Sequence, residues 1–196
     1  MSVLSRLKVP VFTAGGMPEI DPTHYRLHVR GLVEEERSFT WQEIMDLPSS
    51  KVDARLTSVS GWSVRAMWEG ILWRDFIRVV RPKEEANHGT FTSFGGNYET
   101  TIPLSDLDHP RVLLVYAVEG EALEREYGGP LRTVIPNLYG YKSCKWLETI
   151  TLIDSMKGGY WEDRGYTRSG IIEPGMTLDV NTRTHRPIPG GEVMEF

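Results

Sequence analysis

Short stretches of alternating apolar and polar residues, cut apart by glycine, proline and aspartate, leave this chain few options other than a strand-rich fold. From Tyr25 to Val33, Tyr25, Leu27 and Val29 fall on one face and Arg26, His28 and Arg30 on the other, as in a half-buried strand. Val52 to Val59 repeats the pattern until Gly61 breaks it, and Trp62 and Trp68 are read as bracketing a loop after that strand. Further strands are expected at Thr90 to Phe94, Thr100 to Ile102, Val112 to Val118, Leu131 to Ile135 and Lys145 to Ile153. Helical signals are fewer. Thr40-Trp41-Gln42-Glu43 has capping-box spacing, in which the threonine hydroxyl and the glutamate carboxylate each take a backbone N–H, predicting a short helix to Leu47 before Pro48. Trp73 to Val80 carries apolar residues at helical spacing up to Arg81-Pro82. The sum is a mixed α+β fold dominated by strands, one domain over residues 1–196, since no repeat, linker or charge block divides it. Residues 171–196, with three prolines and no clear period, are expected to run as an extended tail over the body or a partner subunit.

Composition narrows the function. Of 196 residues 40% are hydrophobic, but no apolar run reaches the length that crosses a bilayer, so no membrane span is expected. A net charge of −5 argues against a surface built to neutralise nucleic-acid phosphates. The first ten residues lack the apolar core and cleavage site of a secretory signal, which predicts a cytoplasmic location. The one cysteine, Cys144, excludes an intrachain disulfide and any multi-cysteine metal site. His24 and His28 have helical i, i+4 spacing, but on a strand they would stand about 13 Å apart, too far to share a zinc ion. Gly61-Trp62-Ser63-Val64-Arg65 lacks the last glycine of a G-x-S-x-G elbow, leaving serine hydrolase chemistry unsupported.

Glu126 to Trp146 is the richest segment. Its glycines allow close backbone approach, and Arg132, Lys142 and Lys145 supply positive charge, a pattern that could cradle a phosphate. The same residues also read as two Gly-Pro turns around a buried strand with solvated basic side chains. Cys144 lies between two lysines, which favours a thiolate, yet it reads equally as a small apolar filler at the head of a strand. Trp41, Trp62, Trp68, Trp73, Trp146 and Trp161 are core candidates, with Trp62 and Trp68 set apart as candidates for a cofactor cleft.

Five segments together resemble the molybdopterin-binding domain of the sulfite oxidase family, especially its short bacterial and archaeal members. They are Tyr25-Arg-Leu-His-Val-Arg-Gly-Leu-Val33, Val59-Ser-Gly-Trp-Ser63, Trp68-Glu-Gly70, Tyr127-Gly-Gly-Pro-Leu-Arg132 with Pro136-Asn-Leu-Tyr-Gly-Tyr-Lys142, and Gly159-Tyr-Trp-Glu-Asp-Arg-Gly-Tyr166. The match runs from about Val11 to Arg168. It implies the family's strand-rich α+β fold and one molybdenum held through the dithiolene of a pterin. Arg132 resembles the arginine that meets the pterin phosphate, and Gly140, Tyr141 and Lys142 the turn that offers backbone and ammonium donors. Ser93 resembles a Ser/Thr cofactor contact, and Tyr127 stands where relatives carry Asn or His.

Two departures bear on the chemistry. The family's molybdenum-binding cysteine falls three residues before the glycine of Gly-Trp-Ser, and here that position is Ser58, so the resemblance makes Ser58 the catalytic and metal-ligand candidate. A serine alkoxide is a harder, far less acidic donor than a thiolate. The Arg-Asn-His run of true sulfite oxidases is replaced by Phe12-Thr13-Ala14, so specificity for sulfite is not carried over. The resemblance implies a Mo-molybdopterin oxidoreductase performing two-electron oxo transfer on a small-molecule substrate, an oxyanion or S-oxide, at a site beneath Ser58 and Trp62. Its length matches the central domain alone, which implies a separate electron-transfer partner. The alternative is a non-catalytic pterin-binding or structural relative.

Overall fold

Two sheets, each with one parallel pairing among antiparallel ones, build the computed structural model, which describes residues 2–196. The strands are β1 (Arg26–Gly31), β2 (Arg37–Thr40), β3 (Ser50–Ser58), β4 (Trp62–Leu72), β5 (His88–Ser93), β6 (Glu99–Pro103), β7 (Leu113–Val118), β8 (Glu121–Ala122), β9 (Arg132–Val134), β10 (Leu147–Ile153), β11 (Gly175–Asp179) and β12 (Thr184–Ile188). The helices are short: α1 (Val3–Arg6), α2 (Trp41–Met45), α3 (Trp73–Val80) and α4 (Leu104–Leu107).

The first sheet runs β2-β1-β10-β5-β6, with β1 parallel to β10 and Val29 opposite Ile150. The alternation seen from Tyr25 onward buries Tyr25, Leu27 and Val29 and leaves Arg26 and Arg30 exposed. Helices α2 and α3 close this core. Thr40 and Glu43 make both bonds of the capping box, and α3 turns Trp73, Phe76 and Val80 inward, with the Trp73 ring 5.5 Å from Phe91. His24 lies in the turn before β1 rather than on it, bonded to Asp21, while His28 bonds Ser38 on β2.

The second sheet runs β12-β11-β4-β7-β8, with β3 added on β4 and β9 on β7. Here the segment after Gly61 departs from expectation. Gly61, at φ +85°, is the turn of a hairpin that pairs Ser58 with Trp62, and β4 continues for eleven residues. Val64, Ala66 and Trp68 face inward, so Trp62 and Trp68 stand on a strand and not at the ends of a loop. One edge of β4 meets β11 at Trp62 and Ser63 and β7 from Trp68 onward. Between those pairings Asn181 Oδ1 and Glu119 Oε1 accept the N–H groups of Arg65 and Met67, supplying acceptors where no strand does.

Residues 171–196, expected as an unpatterned tail, contain the β11–β12 hairpin. The inward residues of β11 include Thr177 and Asp179, Asp179 pairing with Arg55, so the strand's buried face carried no apolar signal.

Candidate functional site

One cavity of about 580 Å³ opens where the β3–β4 turn, the end of β5, the loop after β9 and the chain before β1 converge. Residues 9–18 form much of one side without joining either sheet. They are held by side chains that donate to their carbonyls: Lys145 to Phe12, Arg125 to Met17 and Pro18, and Tyr127 to Val9.

Arg132 lies on β9 and is 4% exposed, with its side chain on the cavity wall. Its guanidinium donates to three backbone carbonyls, Tyr127 at 2.8 Å, Thr133 at 3.1 Å and Ser143 at 3.5 Å. Among the described residues no carboxylate lies within ion-pair distance of it. Burial pulls its pKa down to about 10, which leaves it cationic at neutral pH. A buried cation without a counter-charge is costly, and a bound anion removes that cost.

Lys145 is the second cation on the wall. Its ammonium donates to the Phe12 and Glu126 carbonyls and lies 4.6 Å from the centre of the Trp146 ring. Burial, reinforced by Arg132, brings its pKa down to about 7. Above pH 7 the group is therefore neutral, and anion affinity should fall about tenfold from pH 6 to pH 8, as for one titrating cation. Titration of sulfate, whose charge does not change between pH 6 and pH 8, into cofactor-free protein checks this, a flat profile contradicting it. Between pH 7 and the ordinary lysine value the folded chain binds fewer protons here than the unfolded one, so this group makes stability rise with pH across that window.

The remaining expected contacts divide. Ser58, Ser93, Tyr127, Gly140 and Tyr141 all reach the cavity. Ser93 Oγ accepts from Tyr98 N–H at 3.1 Å, and the Tyr127 hydroxyl donates to Val9. Gly140 and Tyr141 open a one-turn helix, whose leading N–H groups have no intrahelical acceptor. Ser58 is partly exposed, with its Oγ 2.8 Å from Ser60 Oγ. Lys142 does not reach the cavity: its side chain is fully buried on Glu162, so the ammonium donor expected there is absent from the wall. Lys145, three residues on, stands there instead. The sequence marks it only as one of three cations in a segment able to cradle a phosphate.

Trp62 and Trp68 both reach the cavity, Trp68 while fully buried with its indole N–H on the Ala54 carbonyl. Trp161 and Tyr166 stack at 4.7 Å on the wall, and Phe12 leans on Trp161 at 5.1 Å. Cys144 is the filler of the two readings: it is fully buried, and burial raises its pKa to about 12. Folded protein at pH 8 should therefore resist a thiol reagent such as Ellman's, reacting only on unfolding, and a fast reaction of native protein would contradict this burial.

Residues 14–161 match the profile of the family described as oxidoreductase molybdopterin binding domain. The chain is 33% identical over 152 residues to a putative protein-methionine-sulfoxide reductase subunit, YedZ1, of Azospira oryzae, covering 78% of this chain and 58% of that one. It is 34% identical over 163 residues to the uncharacterized oxidoreductase YuiH of Bacillus subtilis, covering 82% of each. It thus spans little more than half the length of the first of these relatives. The sulfane dehydrogenase SoxCD of Paracoccus pantotrophus shares the fold, with a TM-score of 0.70 at 19% identity over 90% of this chain and 47% of that one. With the profile covering most of the sequence and the strand-rich fold shared, the chain belongs to the oxidoreductase molybdopterin-binding domain family.

Proposed function

We propose that this chain holds a molybdopterin and performs two-electron oxo transfer on a neutral S-oxide. The observation that carries the reading is Arg132, a buried guanidinium on the wall of a cavity of about 580 Å³ with no carboxylate among the described residues to neutralise it. A pterin phosphate supplies that missing charge, so the residues present fit the group at its anionic end. Arg132 would meet the phosphate with a planar fork, Lys145 would add a second charge below pH 7, and Gly140 and Tyr141 would offer backbone donors. Ser58, which also lines the cavity, would be the side-chain oxygen offered to the metal. When bound, the group supplies oxo-transfer chemistry and the fold supplies orientation, burial and charge.

The wall favours a neutral substrate over an oxyanion. Its charged side chains are Arg132 and Lys145, both assigned above to the pterin phosphate, which leaves no further cation for an oxyanion substrate. The solvent-exposed lining residues include Phe12, Met17, Val59 and Ser60, with Ser58 and Trp62 partly exposed, and none of these carries charge. An S-oxide needs no counter-ion there. Its reduction consumes two electrons and two protons and releases the thioether and water, with the electrons drawn from a separate redox protein. That a relative is named a methionine-sulfoxide reductase subunit agrees with this class.

Protein from a host that makes the cofactor should contain near-stoichiometric molybdenum and pterin and should reduce dimethyl sulfoxide with a viologen dye as electron donor. Metal-free protein that releases no fluorescent pterin on denaturation would sink the reading. Ser58 itself favours a second reading, a pterin-binding relative without catalysis, because its hydroxyl is tied to Ser60 and is far less acidic than a thiol at that position. Ser58→Cys separates the two. On the catalytic reading it tightens molybdenum retention on the order of tenfold in an already active protein. Activity appearing only in the variant would assign the natural chain to the second reading.

A further inference from the structure

Lys142 and Glu162 form an ion pair in which both side chains are fully buried, yet neither lies on the cavity wall. Lys142 Nζ donates to Glu162 Oε1 and, at 3.0 Å, to the Thr101 carbonyl, while Glu162 Oε1 also accepts from Thr100 Oγ1 at 2.7 Å. Such a pair contributes little net stability once desolvation is counted, so what it holds in place matters more than its energy.

The two residues stand behind two adjoining stretches of the cavity lining. Lys142 ends the one-turn helix whose Gly140 and Tyr141 face the cavity. Glu162 lies in the turn flanked by Trp161 and Tyr166, whose stacked rings also face it. This aromatic loop has few backbone ties to the sheets. Gly159 bridges Thr100, and Tyr160 N–H donates to the Glu99 carbonyl at 2.8 Å. That junction is tight, since a Cβ on Gly159 would stand 2.3 Å from the Glu99 carbonyl oxygen. Beyond the junction the loop bends back toward Tyr141, whose ring meets Tyr166 edge-on at 5.2 Å.

We propose that Lys142 and Glu162 are positioning residues: their buried pair ties the Gly140–Lys142 turn to the aromatic loop and sets where the Trp161–Tyr166 stack stands over the cavity. Lys142 thus acts on the substrate-facing wall through Glu162. The kinetic part of the claim rests on the oxo-transfer reading above, and the structural part does not.

The test uses Lys142→Met, Glu162→Gln and the swapped Lys142→Glu/Glu162→Lys chain, each full length, with and without cofactor. In cofactor-free Lys142→Met the near-ultraviolet circular dichroism should lose the same component that Trp161→Phe removes. In loaded protein the KM for dimethyl sulfoxide should rise roughly tenfold, as expected for a displaced binding wall, while kcat and pterin content stay within about twofold. The swapped chain should recover both the dichroism and the KM, which a general loss of packing would not. Glu162→Gln keeps the shape and should fall between, and it carries the test if Lys142→Met does not fold. Pterin content that falls while the dichroism is kept would make Lys142 a cofactor ligand and overturn the proposal, as would an unchanged KM. Wild-type protein without pterin would remove the oxo-transfer reading, and the dichroism of the cofactor-free chains would still decide the positioning claim.

Discussion

Arg132→Met should reduce retained pterin about ten- to a hundredfold, the loss of roughly 1.5–3 kcal/mol carried by a charge-assisted contact. The folded chain itself should change little. Three buried carbonyls, those of Tyr127, Thr133 and Ser143, lose a donor at about 1 kcal/mol each, and the removal of an uncompensated buried charge returns a similar amount. Urea unfolding of the cofactor-free variant should therefore lie within about 2 kcal/mol of wild type, while pterin fluorescence after denaturation collapses. Arg132→Lys keeps the charge without the planar fork and should fall between. Pterin content equal to wild type in Arg132→Met would place the phosphate elsewhere.

The second large effect concerns the fold. Gly70→Ala should cost about 3 kcal/mol or more, a large share of the 5–15 kcal/mol that holds a typical domain. Gly70 follows the irregularity in β4 where the register against β7 shifts, and there the two backbones approach closely. A Cβ would stand 1.9 Å from the Leu114 carbonyl oxygen and 2.9 Å from the Val115 Cα. These are backbone atoms that no side-chain rotation can move, so β7 must separate and give up pairings at Val115 and Leu114. A lower urea midpoint at unchanged slope measures the loss. Gly61→Ala is the comparison: nothing stands within 4 Å of its Cβ, so only the φ of +85° opposes it, at about 1 kcal/mol.

What could be read from sequence depended on how local the determining interaction was. The capping box at Thr40 and the apolar period of α3 involve neighbours, and both elements form as expected. β4 was hidden because Gly61 reads equally as a break and as a hairpin turn, and only the pairing with β3 decides. β11 was hidden because its buried face carries Thr177 and Asp179, with Arg55 on β3 making the aspartate tolerable there. The same division holds at the site. Arg132 follows from a glycine-rich basic segment, Gly140 and Tyr141 follow from the family resemblance, and all three reach the cavity. Whether Lys142 or Lys145 reaches it depends on Glu162, twenty positions away, which draws one ammonium into the core. The lining by residues 9–18 had no periodicity to reveal it, because that stretch is held by carbonyls bonded to distant side chains.

The parallel pairing of β1 with β10 has a consequence for how the chain is made. Val29 and Ile150 sit 121 positions apart, so the first sheet lacks its central partner until most of the polypeptide has left the ribosome. At about 5–20 residues per second that interval lasts roughly 6 to 24 seconds, during which β1 is paired along one edge only, by β2. Synthesis speed and chaperone supply therefore act on the yield of folded protein alongside the stability of the finished fold.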